Sequence, residues 1–299
     1  VTSGRENVLS SVAELRAFTD GVRAAGRRVG LVPTMGALHS GHLALIEEAK
    51  KHTDEVVVTV FVNPTQFGPK EDFSRYPRTL DKDVELSLGV GASRVFAPEV
   101  KEMYPPGERT RVLVSGLTDS LCGAVRPGHF AGVTTIVTKL FAAAGACTAV
   151  FGRKDYQQLK VIERMTRDLL LPVTIVGYPT VRELDGLALS SRNQFLTPEW
   201  RDRALSIPRA LSLAHAAFVA GERGPKVLRE LVRHEVERAG LRVDYAEVTH
   251  PDDLVPYTAA EHLPERTLLA VAAFADTTRL IDNVVLGEDP APLPVGGPA

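Results

Sequence analysis

His39 and His42 stand three positions apart in VPTMGALHSGHLAL (Val32–Leu45), with Ser40 and Gly41 between them. A short β-like run precedes this segment and helical spacing follows it, so the pair falls where a strand and loop pass into a helix. A helix N-terminus exposes unbonded N–H groups and the positive end of the dipole, which favours phosphate. Two imidazoles placed there can donate to phosphate oxygens that gain charge as a nucleotide's α-phosphorus is attacked. Gly36 and Gly41 let the main chain approach a ligand closely. Zinc is a poor fit, because the histidines lack the i, i+4 spacing of a helical ligand pair and no third ligand is apparent.

Four further segments carry chemistry. FVNPTQF (Phe61–Phe67) places the neutral amides of Asn63 and Gln66 after the strongest strand, able to pair with hydroxyl and carboxylate groups. RPGHFAGV sets Arg126 and His129 just ahead of a helix, a position suited to an anion or a mobile lid. In FGRKDYQQL, Lys154 can meet phosphate as a point charge, Asp155 can bind ribose hydroxyls, and Gln158 lies one turn on. DGLALSSRN carries Ser190, Ser191 and Arg192, two hydroxyls and a guanidinium suited to closing over a triphosphate.

The elements that must hold these residues alternate. A helix is expected over Val12–Ala25, a strand over Arg28–Pro33, a helix from about His42 to Lys51, and a buried strand over Glu55–Val62. Leu80–Leu88 (helix) and Arg94–Ala97 (strand) follow, then an irregular stretch to about Gly128. Next come Val133–Ala144 (helix), Ala149–Phe151 (strand), Tyr156–Leu170 (helix) and Val173–Val176 (strand). This rhythm implies a parallel sheet with helices on both faces, whose ligands lie beyond the carboxyl ends of the strands. After residue 180 the rhythm changes. Helices at Pro198–Val219 and Pro225–Ala239 precede strands at Val243–Val248, Thr267–Phe274 and Arg279–Val285, an α+β pattern. We therefore expect domains over 1–180 and 181–286, and a disordered Pro/Gly-rich tail over 287–299.

Composition sets the remaining bounds. The 299 residues carry 35 basic and 37 acidic side chains, a net charge of -2, so no global field draws the chain to nucleic acid or to a membrane. Cys122 and Cys147 fit no metal or redox spacing and read as packing residues of a reducing compartment. No apolar stretch has the length of a membrane span and no signal peptide is apparent, so a cytoplasmic protein is expected.

HSGH resembles the HIGH-type signature of the nucleotidyltransferase and class I synthetase superfamily. VPTMGALHSGH, FVNPTQF, YPRTLDKD, RPGHFAGV, FGRKDYQQL and DGLALSSRN together resemble the pantothenate synthetase family, in its order and over about residues 28–195, and LIDN (Leu280–Asn283) extends the likeness. The resemblance implies a Rossmann-like α/β domain with a smaller C-terminal α+β lid domain. The implied reaction joins pantoate to β-alanine with ATP and Mg²⁺ through a pantoyl adenylate, in a homodimer. ATP is implied to lie along Pro33, Met35, Gly36, Ala37, Leu38, His39, Ser40, Gly41 and His42, with Gly152, Arg153, Lys154, Asp155, Val181, Leu189, Ser190, Ser191 and Arg192. His42 matches the proton donor, with His39 beside it, and Lys154 and the Ser190–Arg192 loop assist at the phosphates. Gln66 and Gln158 match the pair that holds pantoate. Asn63 is expected at the phosphate or the incoming amine, and Arg126 and His129 at the rim of the pantoate pocket. Asp83 is a water-mediated metal candidate in a run that Lys82 interrupts; Arg153 and Ser40 also depart from the common pattern. The alternatives are a nucleotidylyltransferase of the same superfamily and a non-catalytic nucleotide sensor.

Overall fold

A computed structural model describes residues 5–69 and 71–294. In chain order the elements are β1 (Val8–Leu9), α1 (Val12–Ala24), β2 (Val29–Thr34), α2 (Ser40–His52), β3 (Glu55–Val60), α3 (Leu80–Gly89) and β4 (Arg94–Phe96). Then come α4 (Val100–Met103), α5 (Leu121–Val125), α6 (His129–Ala144), β5 (Cys147–Gly152), α7 (Tyr156–Asp168) and β6 (Val173–Tyr178). The last group is α8 (Pro198–Ala204), α9 (Ser206–Val219), α10 (Pro225–Arg238), β7 (Arg242–Thr249), β8 (Thr267–Ala275) and β9 (Thr278–Leu286).

Two compact units emerge. The first holds the chain up to Ser115, Arg126–Arg153 and Gln158–Pro179; the second holds Gly116–Val125, Lys154–Gln157 and the chain from Thr180. The first unit is a six-stranded sheet in the order β1-β4-β3-β2-β5-β6, with every pairing parallel. Helices cover both faces, as the alternating sequence requires. Val56, Val57 and Val58 of β3 are almost wholly buried, which is why that strand reads as a continuous β-branched run. From β2 the chain builds outward through β3 and β4 on one side and through β5 and β6 on the other. The loops after β2 and β5 therefore flank the point where strand order reverses, the usual ligand crevice of such sheets.

The helices start where local chemistry supplies partners. Ser11 caps α1, its side chain accepting from Glu14 N–H while the Glu14 carboxylate reaches back to the cap. Helix α6 begins at His129, four residues ahead of expectation, because Gly128 takes φ +82° and opens the helix directly after Pro127. No helix among the described residues is long and apolar enough to cross a membrane.

The second unit packs α9 and α10 on an antiparallel sheet, β7-β8-β9. Leu211, Leu228, Val232 and Val236 meet Leu269 and Val271 in its core. The helix expected over Pro198–Val219 is broken at Leu205. Pro208 cannot donate to the Ala204 carbonyl and its ring excludes a continuous turn there. Gly116–Val125 and Lys154–Gln157 join the second unit although both precede Thr180 in the chain. The buried Gln157 side chain explains one of these: its Nε2 donates to the carbonyls of Leu117 and Ser120, and its Oε1 accepts from Cys122 N–H.

Part of the expected disordered tail is placed. Asp289 accepts from Val285 N–H through its carboxylate, and Leu293 N–H donates to the Ser212 hydroxyl on α9. Residues 295–299 lie outside the described residues. Cys122 and Cys147 form no disulfide, and burial pushes the Cys147 thiol up to about 12, which leaves it inert.

Candidate active site

The signature loop follows β2 in the first unit. Thr34 Oγ1 donates to the Thr59 carbonyl and accepts from Gly36 N–H, folding the chain back at the strand end. Gly36 has φ +83° and Ala37 φ +52°, so two successive residues are left-handed. Their turn aims consecutive N–H groups at one point, an arrangement that binds anions. Asp83 fills that point. Its Oδ2 accepts from Ala37 N–H at 3.0 Å and its Oδ1 from Leu38 N–H at 2.8 Å, while the Thr79 hydroxyl donates to Oδ2 at 3.2 Å. Asp83 is only 1% exposed. Asp83 is thus held as a tether of the loop, with both oxygens engaged. The space at Gly36 is taken by Asp83, whose Oδ2 lies 2.9 Å from where a Cβ would stand. Among the described residues no three His, Cys, Asp or Glu side chains cluster as a metal site.

His39 caps α2 and His42 lies in its first turn, with ring centroids 4.1 Å apart and planes inclined by 31°. The His39 N–H donates to His42 Nδ1 at 3.4 Å. A neutral His42 ring in this bond carries its proton on Nε2. Ser40 and Gly41 complete the first turn. Its N–H groups and the dipole add positive potential beside both rings.

Asn63 and Gln66 follow β3. Asn63 is 1% exposed. Its Oδ1 accepts from the Tyr104 hydroxyl at 2.8 Å and the Thr65 hydroxyl at 3.0 Å, and its Nδ2 donates to Gln66 Oε1 at 3.0 Å and the Gly132 carbonyl at 3.1 Å. These bonds give Asn63 an internal task. By occupying Gln66 Oε1, it turns the Gln66 Nε2 outward to Met35 Sδ, 3.1 Å away on the signature loop. Gly132 carried no signal in the sequence. A Cβ there would stand 2.4 Å from the Thr65 carbonyl and 2.6 Å from the Gln66 main chain, so only glycine lets α6 approach this loop.

Arg126 and His129 support Gln66 from the main-chain side. His129 Nδ1 is 2.9 Å from the Gln66 carbonyl, and its Nε2 is 3.1 Å from Arg126 Nη1. One tautomer satisfies both bonds, with Nδ1–H donating and Nε2 accepting. Arg126 grips Glu71 bidentately at 2.6 Å and 2.6 Å. Glu71 carried no motif and was not anticipated. Burial alone would raise its carboxyl, but the Arg126 guanidinium outweighs that and holds it down at about 2. The pair therefore contributes fully above pH 4.5 and is lost as pH falls towards 2. Acid unfolding of the wild type and Glu71→Gln should differ by on the order of 2 kcal/mol at neutral pH, discounted for partial exposure. The difference should shrink to nothing by pH 2; a gap independent of pH would remove this account.

The remaining candidates divide between the units. Pro33, Gly152, Arg153 and the half-buried Gln158 belong to the first. Lys154, Asp155, Val181, Leu189, Ser190, Ser191 and Arg192 belong to the second. There, Lys154 Nζ lies 3.4 Å from Asp155. The segment before Ser190 is a hairpin: Leu189 N–H donates to the Val181 carbonyl, Arg182 bridges Ala188, and Gly186 turns at φ +87°. Asn193 Nδ2 donates to the Glu183 carboxylate and the Ala188 carbonyl, and Arg201 holds Glu183 and Asp185 together. Ser190 caps the following turn by accepting from Arg192 N–H. Glu183 and Arg201 were not visible as site residues, since exposed-looking charges carry no spacing signal.

Known proteins resemble this chain throughout. The pantoate-beta-alanine ligase family model matches residues 7–285. The pantothenate synthetase of Moorella thermoacetica is 52% identical over 280 residues, 93% of this chain and 98% of its own. That of Myxococcus xanthus is 52% identical over 282 residues, 94% and 96% respectively. Among solved structures, the pantothenate synthetase of Thermus thermophilus superposes with TM-score 0.87 at 46% identity, covering 93% of this chain and 99% of the other. The Francisella tularensis pantoate-beta-alanine ligase, complexed with beta-gamma ATP and beta-alanine, gives 0.75 at 30%, covering 93% and 97%. With the match running through both units and all six motifs, this chain belongs to the pantoate–β-alanine ligase family.

Proposed function

We propose that this ATP-dependent ligase condenses pantoate with β-alanine by the following division of labour. The pantoate carboxylate attacks the α-phosphorus of ATP, forming pantoyl adenylate and releasing pyrophosphate. The β-alanine amine, in its free-base form, then attacks the acyl carbon and AMP leaves. Pantoate is already a nucleophile, so the first step calls for charge neutralisation and orientation rather than a strong base. His42 donates from Nε2 to the phosphate oxygens, with His39 beside it. Lys154, Ser190, Ser191 and Arg192 neutralise the leaving pyrophosphate. Gln66 and Gln158 orient pantoate with neutral amides, which do not repel its carboxylate. Asp155 takes the ribose hydroxyls, and the remaining ATP contacts run along the segments named above.

One observation supports this reading most directly. The paired histidines at the N-terminus of α2 and the outward amide of Gln66 are joined through Met35 on a single loop. Phosphate chemistry and a hydroxy-acid binder thus share one support. Mg²⁺ would enter with ATP and supply charge neutralisation at its phosphates, since such ions usually lean on substrate oxygens rather than a protein cage. The second unit takes the role of a lid, which protects an anhydride that water would hydrolyse. The family likeness supports a cytoplasmic homodimer, and sedimentation of the purified chain tests the dimer.

The deciding assay supplies ATP, Mg²⁺ and pantoate. Pyrophosphate exchange should appear only when pantoate is present, and AMP should accumulate once β-alanine is added. Exchange without pantoate would return the reading to a nucleotidylyltransferase, and no turnover at all to a nucleotide sensor.

A further inference from the structure

The LIDN run on β9 places two polar residues inside a strand that is otherwise apolar from Leu280 to Leu286. Asp282 is 3% exposed and Asn283 6%, while Val284, Val285 and Leu286 beside them are at most 1% exposed. Burying such groups is unfavourable unless every polar atom finds a partner. Well-packed apolar side chains often do as well for stability as a buried ion pair. The bonds these two residues make are therefore the place to look for their purpose.

Adjacent residues of a strand point to opposite faces. Asp282 grips Arg182 bidentately, at 2.7 Å and 3.0 Å, and its Oδ1 also accepts from Asn283 N–H at 2.8 Å. Arg182 in turn donates to the Gly186 carbonyl at 3.0 Å, closing the hairpin whose end delivers Ser190, Ser191 and Arg192. Asn283 donates from Nδ2 to the Lys154 carbonyl at 2.8 Å. One strand thus fixes, through two neighbouring side chains, the main chain at Lys154 and the root of the Ser190–Arg192 loop. These segments are 36 residues apart in sequence, taking Lys154 to Ser190, and β9 lies about 90 residues further on. All of this lies within the second unit.

We infer that Asp282 and Asn283 are positioning residues for the triphosphate-binding groups, setting Lys154 and the Ser190–Arg192 loop in mutual register. The inference rests on the reading that these groups act on the ATP phosphates. An ammonium and a guanidinium on separate segments stabilise a leaving pyrophosphate only when their spacing is held, and a displacement of about 1 Å can cost about 100-fold in rate. A shared strand with no loop of its own between the two anchors is a stiff way to hold that spacing.

The test uses the full-length protein with three substitutions: Asn283→Ala, Asn283→Asp, which keeps the size but cannot donate to the carbonyl, and Asp282→Asn, which keeps the shape but weakens the hold on Arg182. Thermal unfolding is followed first. Steady-state constants are then measured for ATP and pantoate separately, and binding of α,β-methylene ATP and of pantoate is titrated. The expected result is a fall of about 100-fold in kcat/KM for ATP, with weaker binding of the analogue and pantoate binding within about twofold of wild type. Unchanged constants overturn the inference. So does a loss shared equally by ATP and pantoate, or a failure of the Asn283 variants to fold, since either makes these residues supports of the fold alone. Wild-type protein lacking pantoate-dependent exchange would instead remove the functional reading, which separates the two failures.

Discussion

Pantoate-dependent pyrophosphate exchange should fall by about 10³-fold in His42→Ala, the range seen when a donor to a developing oxyanion is removed. The bond between His39 N–H and His42 Nδ1 places the proton of a neutral His42 ring on Nε2, the atom that the proposed donor role uses. Alanine removes that donor and also the acceptor at the start of α2. The second loss is a weak capping contact of about 1 kcal/mol, so the fold should survive. His42→Gln retains an amide donor at similar reach and should recover part of the rate. Exchange assays beside thermal unfolding check this: a variant that unfolds near the wild-type temperature yet exchanges normally would strip His42 of its role.

Asp83→Ala should be the most damaging change away from the ligand-facing side chains. It leaves the N–H groups of Ala37 and Leu38 and the Thr79 hydroxyl without their acceptor. A buried donor left unsatisfied costs about 1–3 kcal/mol. The sum, allowing for relaxation, is about 3 kcal/mol, or a melting temperature lower by roughly 6–12 °C. Gly36 and Ala37 would no longer be held left-handed, and the loop ahead of His39 would relax. We expect kcat/KM for ATP to fall by up to about 100-fold. Asp83→Asn keeps one acceptor and should lie between. A magnesium titration separates this from a metal role: raising Mg²⁺ should not restore Asp83→Asn, whereas recovery with added Mg²⁺ would reinstate Asp83 at the ion.

Several residues show why local reading stopped where it did. The HSGH pair was legible because helix starts and histidine spacing are both local, and the structure sets the two rings side by side at the N-terminus of α2. Asn63 was legible as a polar residue at a strand end but not as a buried one. Its partners Tyr104 and Gly132 lie 41 and 69 residues away. Glu71 looked like one more surface charge until Arg126, 55 residues on, closed on it. Gly132 sits in a helix where sequence would tolerate alanine, and only the loop packed against it forbids a Cβ.

The sequence by itself determined the alternation of strands and helices, the parallel sheet, the change of architecture near residue 180 and the order of the motifs. These follow from periodicities of about two and 3.6 residues and from turn chemistry, which act over a few neighbours. Tertiary structure decided which polar residues face outward and which hold others in place. Asp83 became a tether, Asn63 an orienting group for Gln66, and Asp282 and Asn283 a brace for Lys154 and the Ser190–Arg192 loop. A hydrogen bond is satisfied by whatever partner the fold delivers within about 3 Å, and that delivery depends on chain segments far apart in sequence.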